Sequence, residues 1–186
     1  MGSILFINAA ARKESRTLRL AKHLLEKLGS YDEIRLYEAD FPKTDEKFLS
    51  IRDKAFENGY KDSVFDMARQ FCDAETIVIA APYWDLSFPA VLKQYLEHIN
   101  VVGLTFGYEN GMPKSLCSVR RVYYVQTAGG MVVSDEYGFG YVKKFFELFY
   151  QVGEFELIKA QGLDIIGNDP EKILEDAMAQ IDNIIT

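Results

Sequence analysis

Short apolar runs alternate with helically spaced segments along almost the whole chain, and this alternation restricts the fold more than any other feature. Ser3–Asn8 (SILFIN) is long enough for a buried strand and too short for a helix. Thr17–Leu28 then sets Leu18, Ala21, Leu24, Leu25 and Leu28 at helical spacing, with Gly29 as a C-terminal stop. Asp32–Tyr37 alternates polar and apolar residues, as a strand near an edge does. Glu75–Ala81 (ETIVIAA) is the most β-branched run and reads as a central strand. Arg121–Gln126 and Phe155–Gln161 supply two more strands. Further helices are expected over Ser63–Cys72, from Pro89 onward (Val91, Leu92, Tyr95, Leu96 and Ile99 on one face), and over Tyr141–Tyr150. Asp169-Pro170 caps a last one that carries Ile173, Leu174, Ala177, Ile181 and Ile184. Residues 41–62 are polar and broken and offer helical turns only. Asn110-Gly111 marks a turn between short extended pieces in Leu104–Ser118.

Five strands alternating with five helices imply an α/β fold, a doubly wound five-stranded parallel sheet with helices on both faces. Right-handed crossovers make 2-1-3-4-5 the most economical strand order. No repeat, low-complexity tract or linker interrupts the pattern, so residues 1–186 are expected to form one domain. Ligands of such sheets bind beyond the carboxyl ends of the strands, at the switch point between strands 1 and 3. The chemistry therefore belongs in three loops, after Asn8, Ala81 and Gln126.

The first loop runs from Asn8 to Thr17 and feeds directly into a helix. Ser15 and Thr17 can each turn a hydroxyl towards an anion, and the amides of residues 15–18 point out of the helix N-terminus. Together with the helix dipole they make a phosphate site, to which Arg12 or Arg16 adds a charge. Ser15 serves equally well as a plain N-cap, and both readings stand at this point. The second loop, Ala81–Pro89, places the chain's one tryptophan, Trp84, beside Tyr83 on a turn bracketed by Pro82 and Pro89. Prolines hold such a turn in place, so a planar heteroaromatic ligand can lie along its wall. Asp85 can accept from a ring N–H. The third loop, Thr127-Ala128-Gly129-Gly130, allows close backbone approach to a ligand edge.

Composition narrows the partners. Lys and Arg number 21 against 28 Asp and Glu, a net charge of −7, which argues against nucleic acid as the main partner. No apolar run is long enough to span a bilayer, and MGSILFINAAARKES lacks the positive n-region of a signal peptide. Gly2 does not open a myristoylation motif, because position 6 is Phe. Cys72 and Cys117 lie far apart in no metal or redox spacing and read as ordinary thiols of a reducing cytoplasm. Phosphate-loop, zinc-protease and nucleophile-elbow motifs are absent. His23 and His98 fall inside expected helices, as surface or packing residues, and no metal site is expected.

Ser15-Arg16-Thr17, Pro82 through Pro89 with Leu92-Lys93-Gln94-Tyr95 behind it, Gly103–Phe106 with Asn110-Gly111, and Thr127–Gly130 occur in one order. In that order the chain resembles the flavodoxin-like family of FMN-dependent NADH-azoreductases and NAD(P)H:quinone oxidoreductases. The resemblance covers nearly the whole chain. It implies that Ser15, Arg16 and Thr17 bind the FMN phosphate, that Pro82, Tyr83, Trp84 and Asp85 line the isoalloxazine, and that Thr127, Ala128, Gly129 and Gly130 border its pyrimidine end. It further implies NADH or NADPH as electron donor, a quinone, azo compound or similar small molecule as acceptor, and a homodimer. Residues around Phe41–Tyr60 would then help to roof a site, and the helix with Phe145, Phe146, Phe149 and Tyr150 would contribute to the interface or simply face the core. Hydride passes through flavin N5, so no catalytic side chain is required; Trp84 shapes the pocket and Asp85 tunes the ring.

Three departures from the family pattern bear on the substrate. Ala9-Ala10-Ala11 replaces an early serine, Asp85 stands where asparagine is common, and Thr-Ala-Gly-Gly replaces Ser-Arg-Gly-Gly. The Asp85 carboxylate disfavours an anionic reduced flavin and so lowers its potential. A flavodoxin-type electron carrier is the alternative function, although the Ala9–Thr17 loop lacks the glycine such carriers place there. A cofactor-free interaction domain on the same fold is a third.

Overall fold

Ile4–Asn8 (β1) is buried at every position, as a strand covered on both faces must be. The computed structural model describes residues 2–185. After β1 come α1 (Arg16–Leu28), β2 (Asp32–Arg35), α2 (Glu46–Glu57), a 3-10 turn (Ser63–Phe65), α3 (Asp66–Asp73) and β3 (Thr76–Ala80). The chain continues through α4 (Ala90–Ile99), β4 (Phe106–Glu109), β5 (Met112–Ser115), β6 (Arg121–Thr127), α5 (Phe139–Tyr150), β7 (Glu154–Ala160) and α6 (Pro170–Ile184).

Five strands form one sheet in the order β2-β1-β3-β6-β7, every pair parallel. This is the expected 2-1-3-4-5 order, with β6 and β7 as the fourth and fifth strands. The other two, β4 and β5, make a separate antiparallel hairpin around Asn110-Gly111. Because side chains alternate across a strand, the sheet separates two cores. Leu5, Ile7, Ile77, Ile79, Val122 and Tyr124 meet Phe71, Leu92, Leu96 and Phe146 of α3, α4 and α5. Phe6, Val78, Tyr123 and Val125 meet Leu20, Leu24, Leu174 and Ile181 of α1 and α6 on the other face.

Local signals set the helix ends. Gly29 closes α1 at φ 103, open to glycine and costly for other residues. Asp169 accepts from the amides of Glu171 and Lys172, ahead of Pro170 at the first turn of α6.

The stretch 41–62 holds a full helix, α2, where only helical turns were expected. Asp45 caps it by accepting from Phe48 N at 3.0 Å, and Phe48 and Ala55 are its buried residues. So thin an apolar stripe gives little periodic signal. The helix is anchored through tertiary contacts instead: Phe48 and Phe41 pack on the His98 ring at 5.1 and 5.3 Å. Burial, with the nearby Arg52 charge, holds the His98 imidazole below its usual pKa, so it packs as a neutral ring. His23 pairs with Asp182 at the surface, 2.7 Å away. Both histidines are the surface and packing residues expected.

On α5, Phe146 and Tyr150 are buried, while Phe145 and Phe149 are half-buried and touch other rings, including Phe106 of the hairpin. The hairpin thus covers much of the apolar surface that one sheet face leaves over. No helix among the described residues is long and apolar enough to cross a membrane.

Candidate functional site

The three loops after β1, β3 and β6 converge, as the switch-point rule requires. They enclose a cavity of about 430 Å³, within the range of small-molecule sites. Its walls include Ser15, Arg16 and Thr17, then Pro82, Tyr83 and Trp84, then Thr127, Ala128 and Gly129. Asp85 and Gly130, the next residues along their loops, are not among the lining residues.

Ala11, Arg12 and Glu14 also contribute to the first wall, and a fourth loop, after β7, brings Leu163 and Asp164. That last pair escaped the sequence reading, since the rule points to the switch point and away from the edge strand. Only the adjacent Gly162 hinted at a turn there. The fourth loop is tied to the third by backbone bonds: Gly162 N donates to Gly130 O, and Asp164 N to Gly129 O, each at 2.8 Å.

At the head of α1, Ser15 Oγ accepts from Leu18 N at 3.3 Å, which is the N-cap role. Thr17 is buried, and its hydroxyl lies 2.6 Å from that of Thr127, joining residues 110 positions apart. The hydroxyls are therefore engaged within the protein. The backbone is left over: among the described residues, the amides of Arg16 and Thr17, both lining residues of the cavity, have no acceptor. Two parallel N–H groups at the positive end of a helix form an anion site without much net charge. The Arg16 guanidinium is held by Asp164 at 2.7 Å, an exposed pair.

The second loop is a tight turn. Trp84 N donates to Ser87 O at 2.9 Å and Ser87 N returns a bond to Trp84 O at 2.8 Å, as in a two-residue hairpin. Asp85 and Leu86 between them take φ 49 and 69. Both lie in the left-handed region that L side chains avoid, at a cost of roughly 1–2 kcal/mol per residue. The turn is braced from outside. Tyr83 N donates to Thr127 O at 2.9 Å, and Ser87 Oγ to Tyr137 O at 2.6 Å. Leu86 was not singled out from sequence, because nothing about a leucine announces positive φ.

The surroundings suit a planar, singly phosphorylated cofactor. Free amides sit at one end, the Tyr83–Trp84 wall stands along the side, and Gly129 leaves room where any side chain would run into the Asp164 carboxylate. Gln126, buried at the end of β6, leaves both side-chain amide atoms without a partner beside Gly138 and Tyr83. A wider groove of about 580 Å³ runs along α1 to Glu171 and Met178 of α6. Across it Arg19 pairs with Glu171 at 2.6 Å. No group of His, Cys, Asp and Glu that could hold a metal occurs among the described residues.

A family model described as a flavodoxin-like fold matches residues 2–185. An FMN-dependent NADH:quinone oxidoreductase of Coprothermobacter proteolyticus is 36% identical, over 99% of this chain and 98% of that one. A namesake from Clostridium acetobutylicum is 32% identical over 96% and 95%. Among solved structures, an FMN-dependent NADH-azoreductase from Bacillus anthracis in complex with FMN superposes with a TM-score of 0.83. It is 26% identical and covers 100% of this chain and 98% of its own. Since the likeness runs end to end and includes every element that frames the cavity, the chain belongs to the flavodoxin-like family of FMN-dependent NADH:quinone oxidoreductases.

Proposed function

We propose that this chain uses FMN to pass two electrons from NADH, or NADPH, to a quinone, azo compound or similar small acceptor. The observation that carries the reading is the convergence of the three strand-end loops on one cavity with two unspent amides at its head. When bound, FMN supplies the electron chemistry, taking hydride at N5.

The protein's contribution is placement. The amides of Arg16 and Thr17 receive the phosphate along the α1 dipole, while Ser15 fixes the first helical turn that aims them. Tyr83 and Trp84 keep water off one side of the ring system. The turn at Asp85 and Leu86, whose amides have no acceptor among the described residues, stands next to that wall. Thr127, Ala128 and Gly129 close the other side, with Gly130 next along the loop, and the Thr17–Thr127 hydroxyl pair holds that loop to the phosphate end. No side chain is assigned a proton. Asp85 places a carboxylate next to the cavity wall and so favours a lower flavin potential. The names of the relatives favour an enzyme over a one-electron carrier.

A second copy of the chain belongs to this reading. Trp84, Leu86, Met131, Val133 and Ile166 are all exposed apolar side chains, Ile166 fully so. They lie on the loops that follow the strand ends, where burial against a partner would finish the pocket. We place the protein in the cytoplasm, which suits its two free thiols.

The purified chain is expected to be yellow, and to oxidise NADH steadily with a quinone present; a carrier would show almost no turnover. Replacing Ser15 and Thr17 together by alanine should weaken FMN at least tenfold, about 1.4 kcal/mol. Unchanged affinity, read by flavin fluorescence titration, would remove the Ser15 and Thr17 side chains from the phosphate assignment and leave it to the amides alone. Sedimentation at micromolar concentration should give twice the chain mass.

A further inference from the structure

Cys72 and Cys117 are the chain's two cysteines, separated by 45 positions and spaced in sequence like unrelated residues. The fold brings their sulfurs to 2.6 Å. Backbone geometry fixes the approach independently of the side chains. Cys72 sits near the end of α3, and its carbonyl accepts from Ser118 N at 3.0 Å, which ties the segment after Cys117 to the helix end. Around the sulfurs are carbonyls: Leu116 O at 3.4 Å and Leu104 O at 3.6 Å from Cys72 Sγ, and Thr105 O at 3.2 Å from Cys117 Sγ. Both residues are half-buried, within reach of a small oxidant and shielded from bulky thiols. Neither touches the cavity, so the proposed electron transfer leaves this pair unused.

The geometry points to a modification site: Cys72 and Cys117 form a dithiol that a hydroperoxide converts to an intramolecular disulfide, stapling α3 to the segment leaving the β4–β5 hairpin. The Cys72 sulfur attacks the peroxide, the O–O bond breaks, and hydroxide leaves to become water, so that Cys72 becomes a sulfenic acid. The Cys117 sulfur then attacks the Cys72 sulfur, the S–O bond breaks, and the departing hydroxide takes the Cys117 proton as a second water. Two sulfurs lose one electron each and the peroxide gains both. The order of attack follows from the contact itself. The contact with Cys117 holds the Cys72 thiol below its usual range, while the same contact and burial push the Cys117 thiol up, so Cys72 is the sulfur that attacks first. Low-molecular-weight thiols reverse the reaction by exchange. A quinone reductase works beside quinols, which yield peroxide in air; the site itself does not depend on that activity.

The test uses the full chain, with FMN bound. A few equivalents of hydrogen peroxide are expected to remove both free thiols together and to lower the intact mass by two hydrogens, with no added oxygen and no covalent dimer. Because the closed loop spans 45 positions, melting should rise by roughly 5 °C or more and fall back with dithiothreitol. Cys117→Ser should accumulate a sulfenic acid at Cys72 that dimedone captures, whereas Cys72→Ser should react far more slowly. Persisting thiols, oxygen additions without loss of hydrogen, or a lower melting point after oxidation would each overturn the assignment. Equal reactivity of the two serine variants would overturn the order of attack. Thiol counts and mass are read without any turnover assay, so failure here leaves the proposed electron transfer standing.

Discussion

Two turns in this molecule share a backbone geometry and differ in what occupies it. At the tip of the hairpin, Asn110 and Gly111 take φ 52 and 79, the residues that a two-residue turn with both central positions left-handed prefers. Beside the cavity, Asp85 and Leu86 take φ 49 and 69 with no glycine to ease them. The hairpin turn is what local sterics would choose. The Asp85–Leu86 turn exists because its surroundings impose it: two prolines, the Tyr83–Thr127 bond and the Ser87–Tyr137 bond hold it shut. Strain that a fold retains gathers where backbone donors must be aimed at something, and this turn stands at the rim of the proposed flavin site.

The comparison can be broken first at the hairpin. Gly111→Val should destabilise the chain by about 1–2 kcal/mol, purely through its backbone, since nothing lies within 4 Å of the new Cβ. Urea unfolding measures it, and a neutral result would mean that positive φ carries little cost in this protein. Next in size, Leu86→Gly should stabilise. Relief of about 1–2 kcal/mol is partly offset by about 0.5–1 kcal/mol of glycine's chain entropy. A net gain of roughly 0.5–1 kcal/mol, with flavin affinity held within about twofold, would show that strain sits in this turn and not in its side chain. Smallest of all, Asp85→Asn should add a few tenths of a kcal/mol, about 0.3, because asparagine tolerates the left-handed region better. It should also raise the potential of bound FMN, read by redox titration; an unchanged potential would separate Asp85 from the ring.

Both turns lie in loops that could be read from the chain, yet only one was read fully. Asn110-Gly111 announces its turn by residue type, whereas Leu86 gives no such sign. The same divide runs through the fold. β1, β3 and β6 were legible because strands buried on both faces are continuous apolar runs, and α6 because aspartate and proline announce its start. α2 was not, because two buried residues in twelve leave no stripe to read. In the site, the three switch-point loops followed from topology alone. Asp164 did not, since its place depends on hydrogen bonds from the β7 loop to the glycine loop. The cysteine pair was hidden for the same reason: chain spacing says nothing about which segments a crossover lays side by side.

The Arg16–Asp164 pair has a consequence for how the proposed phosphate end of the site would take up an anion. It links residues 148 positions apart, from the first and last loops of the cavity, and both partners are solvent-exposed. Such pairs are worth little, about 0–1 kcal/mol, so the guanidinium changes hands cheaply. Under the proposed reading, a phosphate at the head of α1 would take the carboxylate's place on the same cation, and the Arg16–Asp164 link would be what keeps the two rims in register until then.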